Sequence, residues 1–247
     1  MFASVTTIDW MILFTPGVLA MVGGLGFWLH VRRKSATDAE AAVKFKPYTW
    51  LYFPAVSAVY AGIVIALLDA ADRSALFSAL SLTGAAPLIG LACGTAAGLA
   101  SALYIRVRIE RRPEEAAFLS PEYRELPGLV IVAPIAEELI FRGYGRLAFS
   151  DDPQIIAMLV TSAAFALIHG KVSLMLISFG LGCALYALFI VTGNLAAPIA
   201  AHATANLVMW INDRNIMASR QTQSLAAAGF GHPALFTRIY HSTSRRT

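Results

Sequence analysis

Residues 128–149 read GLVIVAPIAEELIFRGYGRLAF. As a helix this stretch is long enough to cross a bilayer, which takes about 20 residues. It nevertheless carries Glu137, Glu138, Arg142 and Arg146. An ionisable side chain in hydrocarbon costs roughly 2.5–3.5 kcal/mol on insertion scales. Charges at that depth belong inside a helix bundle, paired with one another or working, and the stretch is read as one member of such a bundle.

The rest of the chain supports the bundle. Of 247 residues, 57% are hydrophobic and only 14% charged, with mean hydropathy +0.65. A soluble domain carries about 25% charged residues and a soluble fold of this length cannot hide so much apolar surface. The apolar runs are continuous rather than alternating, which argues against a membrane β-barrel. The expected fold is all-α, a polytopic transmembrane bundle of about seven spans: Trp10–His30, Tyr48–Leu68, Ala85–Ile105, Gly128–Phe149, Gln154–His169, Val172–Val191 and Leu195–Ile211. The first residues lack a positive n-region, so the first span is read as retained rather than as a cleaved signal peptide.

Basic residues set the orientation. Arg32, Arg33, Lys34, Lys44 and Lys46 fill the first loop, and Arg106, Arg108, Arg111, Arg112 and Arg124 the third. Lys171 lies in the fifth, and Arg214, Arg220, Arg238, Arg245 and Arg246 in the tail. Seven spans put all of these on one side, opposite Arg73, Asp151 and Asp152. The positive-inside rule then places the N-terminus outside and the C-terminus in the cytoplasm. The pI near 9.2 follows from this topology, and no nucleic-acid partner is expected. Cys93 and Cys183 fall in apolar runs and read as small buried hydrophobes, not a disulfide. Gly90, Gly94 and Gly98 form a small-xxx-small stripe for close helix packing. The expected organisation is three helices with basic loops over 1–127, a catalytic core over 128–211, and a cytoplasmic tail over 212–247, loose or lying on the membrane surface.

Ionisable and amide side chains concentrate in the fourth, fifth and seventh spans. Glu138 and Arg142 stand at i and i+4, so they can pair on one face. Glu137 points about 100° away and is left freer. The spacing gives two glutamates two jobs, although a structural ion cluster fits it equally. Phe165 and His169 share a face at the end of the fifth span. His202 and Asn206 share a face inside the seventh, either as interhelical glue or as two donors for an oxyanion.

Together, Glu137-Glu138-x-x-x-Arg142, Phe165-x-x-x-His169 and His202-x-x-x-Asn206 resemble the three signature motifs of the CPBP family. That family comprises CAAX prenyl proteases and bacteriocin-processing, Abi-type membrane proteins. The resemblance covers roughly residues 128–211. It implies a glutamate-dependent intramembrane endopeptidase. Glu137 would activate water, His169 would position it, and His202 and Asn206 would stabilise the oxyanion, with Glu138, Arg142 and Phe165 supporting. Family members have been described both as metal-independent and as metalloproteases. The cofactor expectation is thus either none or a divalent metal such as zinc on Glu137, His169 and His202. The implied partners are membrane lipid and a membrane-anchored or membrane-adjacent polypeptide, lipidated or not. The implied location is a bacterial inner membrane, with the active site open to the cytoplasm. The alternatives are a non-catalytic scaffold or bacteriocin-immunity factor of the same fold, and a transporter that uses the buried charges.

Overall fold

The computed structural model describes residues 5–37, 40–41, 44–45, 51–112, 119, 121–169 and 172–227. Among the described residues there are helices and no strand. The long helices are α1 (Thr7–Arg33), α2 (Phe53–Leu67), α4 (Ala86–Arg111), α6 (Gln154–Leu167), α7 (Val172–Thr192) and α8 (Ala196–Ala227). A short helix, α3 (Ala70–Ser78), follows α2. It was not expected, and its polar start explains it. Asp69 accepts the Asp72 N–H at 2.8 Å as an N-cap, and only Leu76 turns inward. The fourth expected span is a composite helix, α5, over residues 127–148. Pro127–Val132 is wound as π-helix, Ala133–Glu138 as α-helix, Leu139–Tyr144 as π-helix and Gly145–Ala148 as α-helix.

By length and composition, α1, α4 and residues Leu174–Thr192 of α7 can each cross a membrane, while α2 and α6 are shorter apolar helices. Their outward faces carry large apolar side chains, among them Val22, Leu67, Leu88, Leu176 and Val191. The charged side chains Glu137, Glu138 and Arg142 are buried instead. Apolar outside with charge inside suits a lipid solvent.

Two sets of contacts gather the helix ends. At one end the Thr6–Asp9 capping box starts α1, and Asp9 accepts the Tyr144 hydroxyl from the far end of α5 at 2.5 Å. Trp10 meets Phe149 edge-on there. At the α7–α8 turn, where Gly193 takes a positive φ of 62°, Asn194 donates to the Ser81 carbonyl at 2.8 Å and accepts the Ala196 N–H at 2.8 Å. At the other end Arg106 donates to Asn212 at 2.6 Å, and Trp210 donates to the Glu122 carbonyl at 3.3 Å.

α4 and α8 form the most extensive helix pair, and the glycine stripe is the reason. A Cβ on Gly90 would run into the Ala197 carbonyl, and one on Gly94 into the Ala201 backbone. On Gly98 it would strike Val208. The stripe therefore lets α4 lie directly on the helix that carries His202 and Asn206. Gly94→Ala is expected to destabilise the protein by about 1–3 kcal/mol through overpacking. Gly26→Ala, at a position with nothing within 4 Å, should leave the thermal midpoint in detergent unchanged. Equal midpoints for the two variants would contradict this account of the pair.

The last helix runs on past the expected span end at Ile211. α8 continues without a break to Ala227, because residues 212–227 hold neither Gly nor Pro and suit a helix. The remainder of the expected tail, 228–247, lies outside the described residues, as do Lys46, Tyr48 and Lys171.

Candidate active site

Pro134 shapes the site before any charged group enters. It has no N–H and its ring crowds the preceding turn, and the turn leading to it is wound as π-helix. The Ala133 N–H reaches back five residues to the Gly128 carbonyl. In that register the Leu129 carbonyl should accept from residue 134, which has nothing to donate. The orphan is taken from another helix: Asn206 of α8 donates its Nδ2 to the Leu129 carbonyl at 2.9 Å. One proline thus fixes which end of the Asn206 amide is nitrogen. The sequence held the signal, a proline three residues before Glu137, but not its consequence.

Three residues on, the paired glutamates diverge as expected. Glu138 is fully buried, and both of its hydrogen-bonded contacts fall on one oxygen, Oε1. It accepts a hydrogen bond from the Arg142 guanidinium at 3.1 Å. A second contact, Arg142 Nε to Glu138 Oε2 at 3.1 Å, is a charge contact with angles too bent for a hydrogen bond. Arg142, also fully buried, donates onward to the Gly182 carbonyl of α7 at 3.2 Å. Gly182 lacks a side chain where one would strike Ser162 of α6, so α6 and α7 close around the guanidinium. This anchor, a backbone carbonyl 40 residues away, left no trace in the sequence.

His202 faces both carboxylates. Its Nδ1 lies 2.9 Å from Glu138 Oε1, and its Nε2 lies 3.8 Å from Glu137 Oε2. The short contact requires a proton on Nδ1, since a carboxylate only accepts. A neutral imidazole would therefore present a bare Nε2 toward Glu137. For His202 to donate from Nε2 as well, it must carry both protons. Glu137 is 4% exposed, and no hydrogen bond from a described residue holds it.

Phe165 packs the cluster from α6. Its ring lies edge-on to Phe141 at 5.6 Å, to His169 at 5.1 Å and to His202 at 5.6 Å. The Arg142 guanidinium sits 4.5 Å over the same ring, a cation–π contact. His169 is half-buried just past the end of α6, with Nδ1 3.2 Å from the Phe165 carbonyl. That contact points to Nδ1 as the protonated nitrogen and Nε2 as the acceptor.

The structure thus brings Glu137, Glu138, Arg142, Phe165, His169 and His202 into one packed group, and turns Asn206, one helical turn along α8, to the neighbouring Leu129 carbonyl. Among the described residues no three His, Cys, Asp or Glu side chains are placed to hold a metal ion. The trio considered for zinc, Glu137, His169 and His202, is not arranged as a metal-holding group.

No curated protein and no solved structure matches the chain. A family model does: residues 122–208 match the type II CAAX prenyl endopeptidase Rce1-like family. The match begins just before α5 and ends in α8, and takes in every residue of the cluster. The likeness to the CPBP protease family carried by the three motifs therefore holds for residues 122–208, an Rce1-like segment.

Proposed function

We propose that this integral membrane protein is an intramembrane endopeptidase in which Glu137 activates a water for attack on a peptide carbonyl. The observation that carries the reading is the difference between the two glutamates. Glu138 is consumed by Arg142 and His202, whereas Glu137 is buried without a hydrogen bond from a described residue, 3.8 Å from His202 Nε2. A water placed beside that gap touches both atoms at hydrogen-bond length.

Charge balance sets the number of protons, and the proposed mechanism places the added one on His202. Two carboxylates and one guanidinium sum to one negative charge, and a single further proton makes the cluster neutral, as burial favours. With that proton on His202, Glu137 is a free base and Nε2–H a donor. Glu137 takes a proton from the water as its oxygen attacks the carbonyl carbon. His202 Nε2–H and the second Nδ2 hydrogen of Asn206 donate to the oxyanion. The C–N bond then breaks as Glu137 passes its proton to the leaving amine. His169, with Nε2 as acceptor, positions the water. Every step runs on the protein's own side chains, and none is routed through a metal.

The proposed setting is seven spans, α1, α2, α4, α5, α6, α7 and α8, with the N-terminus outside and the C-terminus in the cytoplasm of a bacterial inner membrane. The two gathered sets of helix ends support this alternation. The site opens toward the cytoplasm, and the substrate is a membrane-anchored or membrane-adjacent polypeptide, lipidated or not. The rival is a non-catalytic scaffold or immunity factor built on the same fold. The deciding experiment compares membrane proteomes of cells carrying the native chain and Glu137→Ala. Accumulation of an uncleaved precursor supports the protease. Full complementation of a deletion by Glu137→Ala supports the rival.

Asn206 gives a graded test on any substrate so found. Asn206→Ala removes one oxyanion donor and should lower kcat by about 10²–10³. Pro134→Ala restores a backbone N–H that competes for the Leu129 carbonyl. It should lower kcat less, by roughly tenfold, with KM little changed. Native kcat in both variants would remove Asn206 from the mechanism.

A further inference from the structure

A second polar site lies where α4 and α8 leave the bundle core. With 32 residues, α8 runs about 48 Å, well beyond a hydrocarbon core of about 30 Å. Its last turns stand beside the last turn of α4, and the two line an open cleft of about 370 Å³. Arg106, Ile109 and Glu110 line it from α4, and Ile216, Ser219 and Arg220 from α8.

Two arginines from different helices thus face one space. Arg106 is oriented by its Nε bond to the buried Asn212, a bond that leaves its two terminal nitrogens outside it. Arg108, Arg111 and Arg112 add positive charge at the same helix end. Glu110 is the one acid in the lining. Basic residues in the last turn of α4 are explained by topology and the helix dipole alone. Arg220, one of the basic residues on the same side of the membrane, lines the same space from a different helix. The lining is also partly apolar, and a lipid-side track continues it. Leu103 and Val107 are exposed on the same stripe of α4 as Glu110, leading back toward the hydrocarbon. Charge at headgroup depth with an apolar track above it matches a phospholipid better than a soluble anion.

We propose that this cleft binds the phosphate headgroup of an anionic phospholipid, held between Arg106 and Arg220, with an acyl chain along Leu103 and Val107. The bound lipid joins α4 to the helix that carries His202 and Asn206. The inference rests on the membrane-spanning reading of α4, and on no catalytic step.

The test uses the full chain in neutral detergent with phosphatidylglycerol, phosphatidylcholine or inorganic phosphate added. Retained lipid is counted by native mass spectrometry, and the thermal midpoint is followed in parallel. Each arginine near the surface is worth roughly fivefold in affinity, so the native chain should favour phosphatidylglycerol about twentyfold. Arg106→Gln/Arg220→Gln should bring that preference close to parity. Arg108→Gln/Arg111→Gln, on the same basic end but outside the cleft, should keep most of it. If the first variant does not fold, Ser219→Trp fills the cleft without removing charge and should lose the preference likewise. Equal loss in both paired variants would mean diffuse attraction and overturn the site. So would equal retention of the two lipids by the native chain, or inorganic phosphate raising the midpoint as much as phosphatidylglycerol. None of these readouts involves proteolysis, so this site and the protease reading fail separately.

Discussion

Glu137→Gln is expected to lower kcat by on the order of 10³–10⁴, the upper range for a lost general base, while the protein stays folded. The substitution keeps the shape of the side chain and removes the charge. Glutamine neither takes a proton from water nor returns one to the leaving amine, so both halves of the reaction are lost together. KM should change little, because Glu137 meets the attacking water rather than the bulk of the substrate. Folding should survive, since no hydrogen bond from a described residue holds Glu137 and its neighbour Glu138 carries the structural contacts. The thermal midpoint should therefore stay close to the native value. The measurement is turnover of the accumulated precursor by purified protein, alongside the midpoint. A Glu137→Gln protein that still cleaves at the native rate would end the proposed mechanism. One that fails to fold would show that Glu137 is structural after all.

The complementary result is expected at Arg142. Arg142→Ala should destabilise the protein by about 3–5 kcal/mol, the range for breaking a buried ion pair by removing one partner. The substitution strands Glu138 at the centre of the bundle, removes the side-chain donor to the Gly182 carbonyl and empties the space over the Phe165 ring. Replacing both charges at once should hurt less, since Glu138→Gln/Arg142→Met leaves no buried charge uncompensated. Activity should fall in both variants, because Glu138 holds His202 in place. Midpoints in detergent for native, single and double variants separate these effects. If Arg142→Ala unfolds at the native midpoint, the ion pair does not hold the core. If the double variant keeps full activity, His202 does not depend on Glu138. The two experiments pull the paired glutamates apart: position 137 should show a chemical defect without a folding defect, and position 142 chiefly a folding defect.

The pairing of Glu138 with Arg142 was visible in the spacing of the residues, and the structure shows how far spacing reaches. Glu138 and Arg142 are four apart on one helix, and local geometry alone makes them neighbours. The glycine stripe was equally legible, because Gly90, Gly94 and Gly98 mark a face whatever lies against it. That the opposing surface is α8, with its Ala197 and Ala201 backbone, was not. The winding of α5 was also hidden. A proline warns of a distorted turn, but whether the turn kinks, breaks or widens depends on what satisfies the freed carbonyl, and here that is Asn206 from a different helix. The end of α8 lies beyond the expected span because hydropathy marks where a lipid-facing run stops, whereas a helix stops only where its backbone bonding fails.

By itself, the sequence determined the lipid-suited, all-helical character of the chain, the three polar motifs and the pairing of Glu138, rather than Glu137, with Arg142. Each of these depends on composition or on intervals within a single helix, where the 3.6-residue turn fixes the neighbours. Only the tertiary structure decided that His202 bridges the two carboxylates, that a Gly182 carbonyl anchors the guanidinium, and that Asn206 answers a carbonyl orphaned by Pro134. Those contacts join residues from 40 to 77 positions apart, and which helix face meets which is set by packing the whole bundle at once.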